Sequence, residues 1–455
     1  MSVARLTELR LDAFKSFRGA TLPLSGATIL TGRNSSGKSN ALDGLEVLAR
    51  LASGEDIGDA LDGRKRESGA IRGGSAGCPP HGEDAFALGC TVVLDEDEYV
   101  YTVRIAVAPE VRVVEERLEG PAVKVKSGKS SQGVLFHSTL ASDRSPGINV
   151  EIHNGKRGPK PSTTLRDNRL ALSQIHLAIA GKNSAEGSVL RGAEAVSAAL
   201  RGVFHLDPVP HLMRDFVPAR DTDLRRTGQN LSAALYNLKE DDPDAFQRVV
   251  ELLRNIADDR VEGVTFVRSD LEDVMVALNE VRGLTSQGER TPAREMSDGI
   301  LRFMAVATAL LSAEHGLDID DKTNVGGLSS QDDNVRGGVL VVLEELENGL
   351  HPSQARRVLD LVRESAQHPR TGVLITTHSP ALLDAAEGNL NESVVVCHRE
   401  PDTGYSTLTR LTDLPGYAAA LAQNTLGNAI TGGHLTDATE PSVDTSEFER
   451  LLGIA

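Results

Sequence analysis

ATILTGRNSSGKSNALDGLEVLARLA, residues 27–52, changes its pattern twice. Ala27 to Leu30 is a short unbroken apolar run, which reads as a buried strand. Gly32-Arg33-Asn34-Ser35-Ser36-Gly37-Lys38-Ser39 then fits G-x-x-x-x-G-K-[ST], with Asn40 following. From Lys38 to about Ala52 the apolar residues recur at helical spacing. Strand, glycine loop and helix in this order form the context that the motif requires. The glycines let the loop curl so that backbone N–H groups point inward at a phosphate. Lys38 is then placed to neutralise β- and γ-phosphate oxygens, and the Ser39 hydroxyl to complete a Mg²⁺ shell, so ATP and Mg²⁺ are the expected ligands.

A phosphate loop of this kind needs acids at the end of a neighbouring strand. "VLVVLEE" supplies them: Val339 to Leu343 read as a buried strand, followed by Glu344 as the metal-side acid and Glu345 as the base for an attacking water. "GVLITTHS" repeats the design, with a strand ending at Thr377 and His378 delivered to the same edge, since ligands of parallel sheets bind at the carboxyl ends of the strands. His205, His211, His351 and His398 show no spacing that suggests a metal site and read as structural.

The remaining chain reads as strand and helix alternation around this core. The start, "VARLTELRLDAFKSFRGATLPL", alternates like sheet, and "FALGCTVVL", "YVYTVRIAVA" and "EVRVVEERL" read as an antiparallel meander. Between Gly120 and Lys160, Lys124, Lys126, Lys129, Arg144, Lys156, Arg157 and Lys160 outnumber Asp143 and Glu151 in a Gly, Ser and Pro rich stretch that reads as a solvated loop. In "DPDAFQRVVELLRNIA", Phe246, Val249, Val250, Leu253 and Ile256 share one helical face, and "VLRGAEAVSAALRGVF" behaves similarly. After His434 the chain is acidic, with Asp437, Glu440, Asp444, Glu447 and Glu449 against Arg450.

Composition narrows the function. No apolar run approaches the roughly 18 residues of a membrane span, and the N-terminus lacks a signal-peptide core, so a cytoplasmic protein without a membrane partner is expected. Three cysteines without CxxC spacing exclude a disulfide framework or a zinc site of that type. A formal charge of −17 disfavours a DNA-coating protein, and aromatics at 3% without Trp disfavour a base-stacking platform.

The order of the phosphate loop, "MSDGILRF", "VLVVLEELENGLHP" and "LITTHSPALL" resembles the ABC-type ATPase heads of the SMC, RecF and OLD-like group, in particular its compact bacterial AAA-type ATP-binding proteins. The match runs through Glu347-Asn348-Gly349-Leu350-His351-Pro352 and Ser297-Asp298-Gly299-Ile300-Leu301-Arg302, and departs at Leu346, where the group commonly has proline. Glu344 stands where Asp is usual. The resemblance implies an α/β P-loop head with a mostly parallel core sheet, an antiparallel β subdomain and a helical insertion. It divides the chain into residues 1–120 (phosphate loop and meander), 121–165 (basic loop), 166–285 (helical insertion), 286–430 (signature, Walker B and switch histidine) and 431–455 (acidic tail). It also places Lys15 and Phe17 of "LDAFKSFRG" near the nucleotide and asks for a Q-loop glutamine, for which Gln174 in "LALSQI" is the candidate.

In such heads Ser297, Asp298 and Gly299 would close over the nucleotide of a second copy. The expected protein is thus a Mg²⁺-dependent ATPase that sandwiches ATP in a homodimer or higher oligomer. Its client would be DNA or a separate effector protein such as a nuclease or toxin, in antiphage defence or DNA maintenance. A slow-turnover scaffold that holds such an effector is the alternative, and a transporter cassette is disfavoured by the long span from Ser39 to Ser297. A helix N-terminus offers unpaired N–H groups and about half a positive charge, so Asp298 is expected to face an arginine or cap amides there.

Overall fold

The computed structural model describes residues 2–24, 26–63, 69–125, 128–140, 147–256, 261–281, 288–319, 335–348, 354–386, 390–415, 417 and 425–432. The last residues of the expected "ENGLHP" turn, Gly349 to Pro352, and the acidic tail lie outside them.

The chain opens with strands β1 (Ser2–Phe14), β2 (Phe17–Pro23) and β3 (Ala27–Thr31), then helices α1 (Lys38–Ala52) and α2 (Ile57–Asp62). Six antiparallel strands follow: β4 (Ala85–Leu94), β5 (Asp97–Ala106), β6 (Arg112–Val123), β7 (Ser130–Leu140), β8 (Ile148–Ile152) and β9 (Ser162–Leu165). Helices α3 (Ala171–Ala178) and α4 (Ser184–Arg201) lead to strand β10 (Val203–Leu206). A smaller unit holds β11 (Val217–Pro218), α5 (Leu231–Asp241), α6 (Pro243–Ile256), β12 (Val261–Arg268), β13 (Asp273–Val281) and β14 (Gly288–Pro292). The chain then runs through α7 (Asp298–Leu311), β15 (Val335–Gly337), β16 (Val339–Leu343), α8 (Ala355–Ala366), β17 (Thr371–Thr377), α9 (Pro380–Ala386), β18 (Val394–Arg399), β19 (Ser406–Arg410) and α10 (Leu426–Thr431).

One sheet threads the molecule in the order β10-β16-β17-β3-β18-β19-β2-β1-β4-β5-β6-β7-β8-β9, with β15 beside β1. Its first five strands are parallel. Their continuous apolar sequences follow from burial on both faces. Val339, Val341 and Leu343 of β16 join one core together with Val373 and Ile375 of β17, whereas Leu340, Val342 and Leu374 join the other. Helices α1 and α4 cover the second of these faces, and α7 and α8 the first. Helix α1 lies close to the sheet because Gly44 has no side chain: a Cβ there would stand 2.6 Å from Leu11 Cδ2.

Two expectations are corrected. Residues 121–165 are not simply a loop, since β7, β8 and β9 extend the meander through them. Val134, Leu135, Phe136, Ile148, Val150 and Ile152 supply enough alternation to pair, and Gly/Ser/Lys-rich composition masks it. Nor is 166–285 all helical, because β10 is a parallel strand of the core and β11 to β14 form a second sheet. The helical run of α4 hides β10, and Gly202 marks the change: a Cβ there would meet the Gly338 carbonyl at 2.0 Å.

The antiparallel region is tied to the helices by a buried acid. Glu116 of β6 is fully buried and accepts hydrogen bonds from Ala171 N at 2.5 Å, Leu172 N at 2.7 Å and Tyr101 Oη at 2.9 Å, so that it caps α3. Burial raises its pKa from the ordinary 4.5 to about 7, against these donors. A raised folded-state value gives a stability contribution that is complete below about 4.5 and is lost as pH rises through about 7. Glu116→Gln removes this titration. The unfolding free energy of the wild type is therefore expected to fall relative to that of the variant between pH 5 and pH 8, by on the order of 3 kcal/mol. Parallel melting curves across this range would contradict the assignment.

Candidate active site at the carboxyl ends of the parallel strands

Strands β3, β16 and β17 end side by side, and each delivers one part of the site. After β3 the chain turns through Gly32 (φ 146°), Ser35 (φ 66°) and Gly37 (φ 121°) into α1. Gly32 is required by space as well as by φ, because a Cβ would lie 2.1 Å from the Cys397 carbonyl oxygen. A Cβ at Gly37 would lie 2.5 Å from Ser406 Oγ and 3.2 Å from Phe17 Cζ. The loop's carbonyls are held from outside: Arg399 Nε donates to Ser35 O at 2.9 Å and Ser406 Oγ to Ser36 O at 2.5 Å. Gly37, at the N-cap of α1, offers no side chain to the first amides. Ser36 Oγ is buried without a hydrogen-bond partner among the described residues. A cradle with outward carbonyls, uncapped helix amides and an orphaned hydroxyl fits a polyphosphate.

Lys38 folds back onto this loop, donating from Nζ to Gly32 O at 2.6 Å and Arg33 O at 3.1 Å. Burial lowers its pKa, opposed by Cys397, Glu345 and Glu347. It thus stands between the phosphate loop and the carboxylates of the next strand.

Glu344 and Glu345 follow β16. Burial raises the Glu344 carboxyl, opposed by Arg72 and reinforced by Asp207 and Asp43. Its surface is exposed even so, which is the setting of a carboxylate placed to meet a cation. Ser39 and Glu344 are hard oxygen donors, the set that suits Mg²⁺. Glu345 adopts φ 47°, an uncommon conformation for a residue with a side chain. Its amide donates to Thr376 Oγ1 of β17 at 3.0 Å, and its carboxylate accepts from Asn348 Nδ2 at 2.6 Å. His378 follows β17, where its backbone N–H donates to Glu347 Oε1 at 2.8 Å and its Nδ1 lies 3.0 Å from the same oxygen.

Sequence reasoning did not single out Glu347, Asp43 or Arg72 as members of the site. Asp43, on α1, is nearly buried and pairs with Lys15 Nζ at 2.6 Å and with Arg72 Nε at 3.0 Å. Arg72 also donates from Nη2 to Ser39 O at 2.7 Å. Lys15 therefore lies beside the phosphate-loop helix, but its ammonium is bound to Asp43 and to Arg72 O. An acid on a helix face and an arginine in a glycine-rich loop carry no pattern that marks them.

Gln174 is a correction. Its carboxamide is taken up locally, with Nε2 donating to Arg166 O, Arg169 O and Leu170 O and Oε1 accepting from Arg166 N. The strand beside β16 is β10, and Asp207-Pro208 follows it at the edge of the site in place of a glutamine.

Ser297 caps α7, its Oγ accepting from Ile300 N at 3.3 Å. Asp298 faces Arg214, whose Nη2 lies 2.5 Å from Oδ1. Arg214 Nη1 also donates to Ala293 O, Arg294 O and Met296 O, so one guanidinium holds the whole approach to the helix. Ser297 and Asp298 are exposed. A cavity of about 480 Å³ lined by Glu46, Arg50, His205 and Arg226 is a different place. Its Arg50 and Arg226 are already bonded to Glu46.

The family model described as "AAA domain, putative AbiEii toxin, Type IV TA system" matches residues 27–145 and 183–384. No curated protein matches the chain. Among solved structures, an SMC head bound to the C-winged helix domain of ScpA is 12% identical, with a TM-score of 0.45 over 89% of this chain and 97% of that one. The SMC head domain from Thermotoga maritima is 15% identical, with a TM-score of 0.40 over 89% and 98%. An Smc head with an extended coiled coil, bound to the C-terminal domain of ScpA and derived from Pyrococcus furiosus, is 13% identical, with a TM-score of 0.42 over 90% and 96%.

The tight fit at Gly32 generates a test of the cradle. Gly32→Ala is expected to destabilise the fold by about 1–3 kcal/mol through the clash with Cys397 O. It should also weaken binding of a fluorescent ATP analogue at least about tenfold, equivalent to about 1.4 kcal/mol. Wild-type melting and affinity together would remove the steric argument.

Proposed function

The chain belongs to the family of AAA domains described as putative AbiEii toxin, Type IV TA system, and from this premise we propose that it is a Mg²⁺-dependent ATPase that closes a homodimer over ATP. The observation that carries the reading is the order of β16, β17 and β3, whose adjacent carboxyl ends lead to Glu345, His378 and the loop of Lys38. Lys38 would exchange the carbonyls of Gly32 and Arg33 for phosphate oxygens. Ser39 and Glu344 would hold the magnesium, which supplies charge neutralisation of the phosphates. Glu345, steadied by Asn348, would accept a proton from water as the water oxygen bonds to the γ-phosphorus. The bond from the γ-phosphorus to the β,γ-bridging oxygen breaks, its electron pair stays with that oxygen, and ADP leaves.

The exposed N-terminus of α7 supports the dimer. Its cap is formed, its acid is neutralised by Arg214, and Ser297 and Asp298 are exposed, where the phosphate of a second copy would reach the terminus. A formal charge of −17 favours a protein client over nonspecific DNA binding. The client is then an effector on a separate chain, in phage defence or DNA maintenance.

Glu345→Gln keeps the hydrogen-bonding shape and removes the base. This variant is expected to bind ATP with wild-type affinity while hydrolysis falls about 10²- to 10⁴-fold, and to double in mass by light scattering with ATP and Mg²⁺. Wild-type turnover would dismiss Glu345 as the base, and a monomer would dismiss the sandwich. Ser297→Arg places a long cation in the cap. Its expected phenotype is ATP affinity within about twofold of wild type, as fits a residue that does not touch its own nucleotide, with dimerisation and turnover lost. Normal turnover would make Ser297 a helix cap and nothing more.

A further inference from the structure

We propose that Glu347 is the positioning residue for His378, and that it fixes which imidazole nitrogen meets the substrate; the proposal rests on the ATPase reading above. One carboxylate oxygen, Glu347 Oε1, is engaged twice by the same residue. It accepts from His378 N at 2.8 Å and lies 3.0 Å from Nδ1. The first contact fixes the backbone at the end of β17, and the second fixes the ring. With Nδ1 turned to Glu347, only Nε2 is left to reach the substrate. A flip of the ring, which would exchange the two nitrogens, breaks the Nδ1 contact.

Burial makes this grip selective. The Glu347 side chain is 15% exposed, whereas that of His378 is 46% exposed. The histidine thus reaches outward from an anchored partner. The second oxygen, Glu347 Oε2, is buried with no hydrogen-bond partner among the described residues. Leaving a buried carboxylate oxygen unsatisfied costs about 1–3 kcal/mol. A residue whose task was only to cap the end of β17 needs no such charge, since a neutral amide would accept the same N–H.

The turn that carries Glu347 links it to the base. Glu345 and Asn348 are bonded to each other within that turn, through Asn348 Nδ2 to Glu345 Oε2 at 2.6 Å and Asn348 N to Glu345 O at 2.8 Å. Glu345 N is in turn held by Thr376 Oγ1 of β17. Glu347 and Glu345 both act electrostatically on Lys38. The turn therefore orients the base with its own asparagine and the histidine of the neighbouring strand with its own glutamate.

Glu347→Gln keeps the shape and removes the charge. Its amide oxygen can still accept from His378 N and from Nδ1–H, but as a neutral acceptor it holds the Nδ1–H tautomer less strongly. The expected result is ATP affinity and KM within about twofold of wild type, with kcat lowered about ten- to a hundredfold, the usual cost of losing a partner that orients a functional histidine. In a His378→Ala background the same substitution should have no further effect, since a positioning residue acts only through what it positions. Equal losses in both backgrounds, or wild-type kcat in Glu347→Gln, would overturn the proposal. Nitrogen-15 spectra of the His378 ring give a readout that does not depend on turnover: the proton resides on Nδ1 in the wild type and redistributes in Glu347→Gln. Identical spectra would overturn the positioning role. Absence of ATPase activity from the wild type, with the tautomer fixed as stated, would instead overturn the ATPase reading alone.

Discussion

The structure depends on the contact between the phosphate loop and β18. Gly32 passes so close to Cys397 O that no side chain fits, and the loop's outer carbonyls are held by Arg399 and Ser406. The carbonyls of Ser35 and Ser36 are thus held from outside the loop, while Ser36 N closes the turn on Arg33 O at 3.2 Å. The cradle is therefore set by strands β18 and β19, which lie more than 350 residues later in sequence. Neither phosphate-loop spelling nor glycine content could reveal this support, because it is tertiary.

The second dependence is the order β10-β16-β17-β3-β18, which brings three strand ends together. Parallel strands align their carboxyl ends, so Glu344, Glu345 and His378 follow adjacent strand ends without long loops. What remains is fine orientation, and the turn 345–348 supplies it. Its positive φ at Glu345 is a strained conformation maintained by the bonds to Thr376 and Asn348. Leu346, where the resembling sequences commonly have proline, is buried at 5% exposure, so packing replaces ring rigidity at this point.

The legibility of the fold followed the strength of its local signals. Strands β3, β16 and β17 and helix α1 were readable to within a residue or so, because unbroken apolar runs, two glycines and a lysine leave little choice. Strands β7 to β9 were not, since their edge position tolerates Gly, Ser and Lys on the solvent face. In the candidate site, the residues that a motif names follow adjacent strand ends, whereas those set by another chain segment carry no local signal. Asp43 and Glu347 look like ordinary helix and turn acids until Lys15, Arg72 and His378 are folded against them. Gln174 failed for the opposite reason: a buried glutamine near a helix start has backbone carbonyls within reach, and local bonds took all of its capacity.

Helix α7 shows how an acid can sit at a helix N-terminus. Asp298 is the first residue of α7, where its charge would cancel the partial positive charge that the terminus presents. Arg214 meets it at 2.5 Å while also binding three carbonyls of the preceding segment. The pair is neutral, and its arginine comes from the segment after β10, the strand that flanks β16. The terminus thus keeps its own dipole, and its orientation is tied through that segment to the strand edge where Asp207 approaches Glu344. The segment from Asp207 to Arg214 thus links the strand edge beside Glu344 to the start of α7.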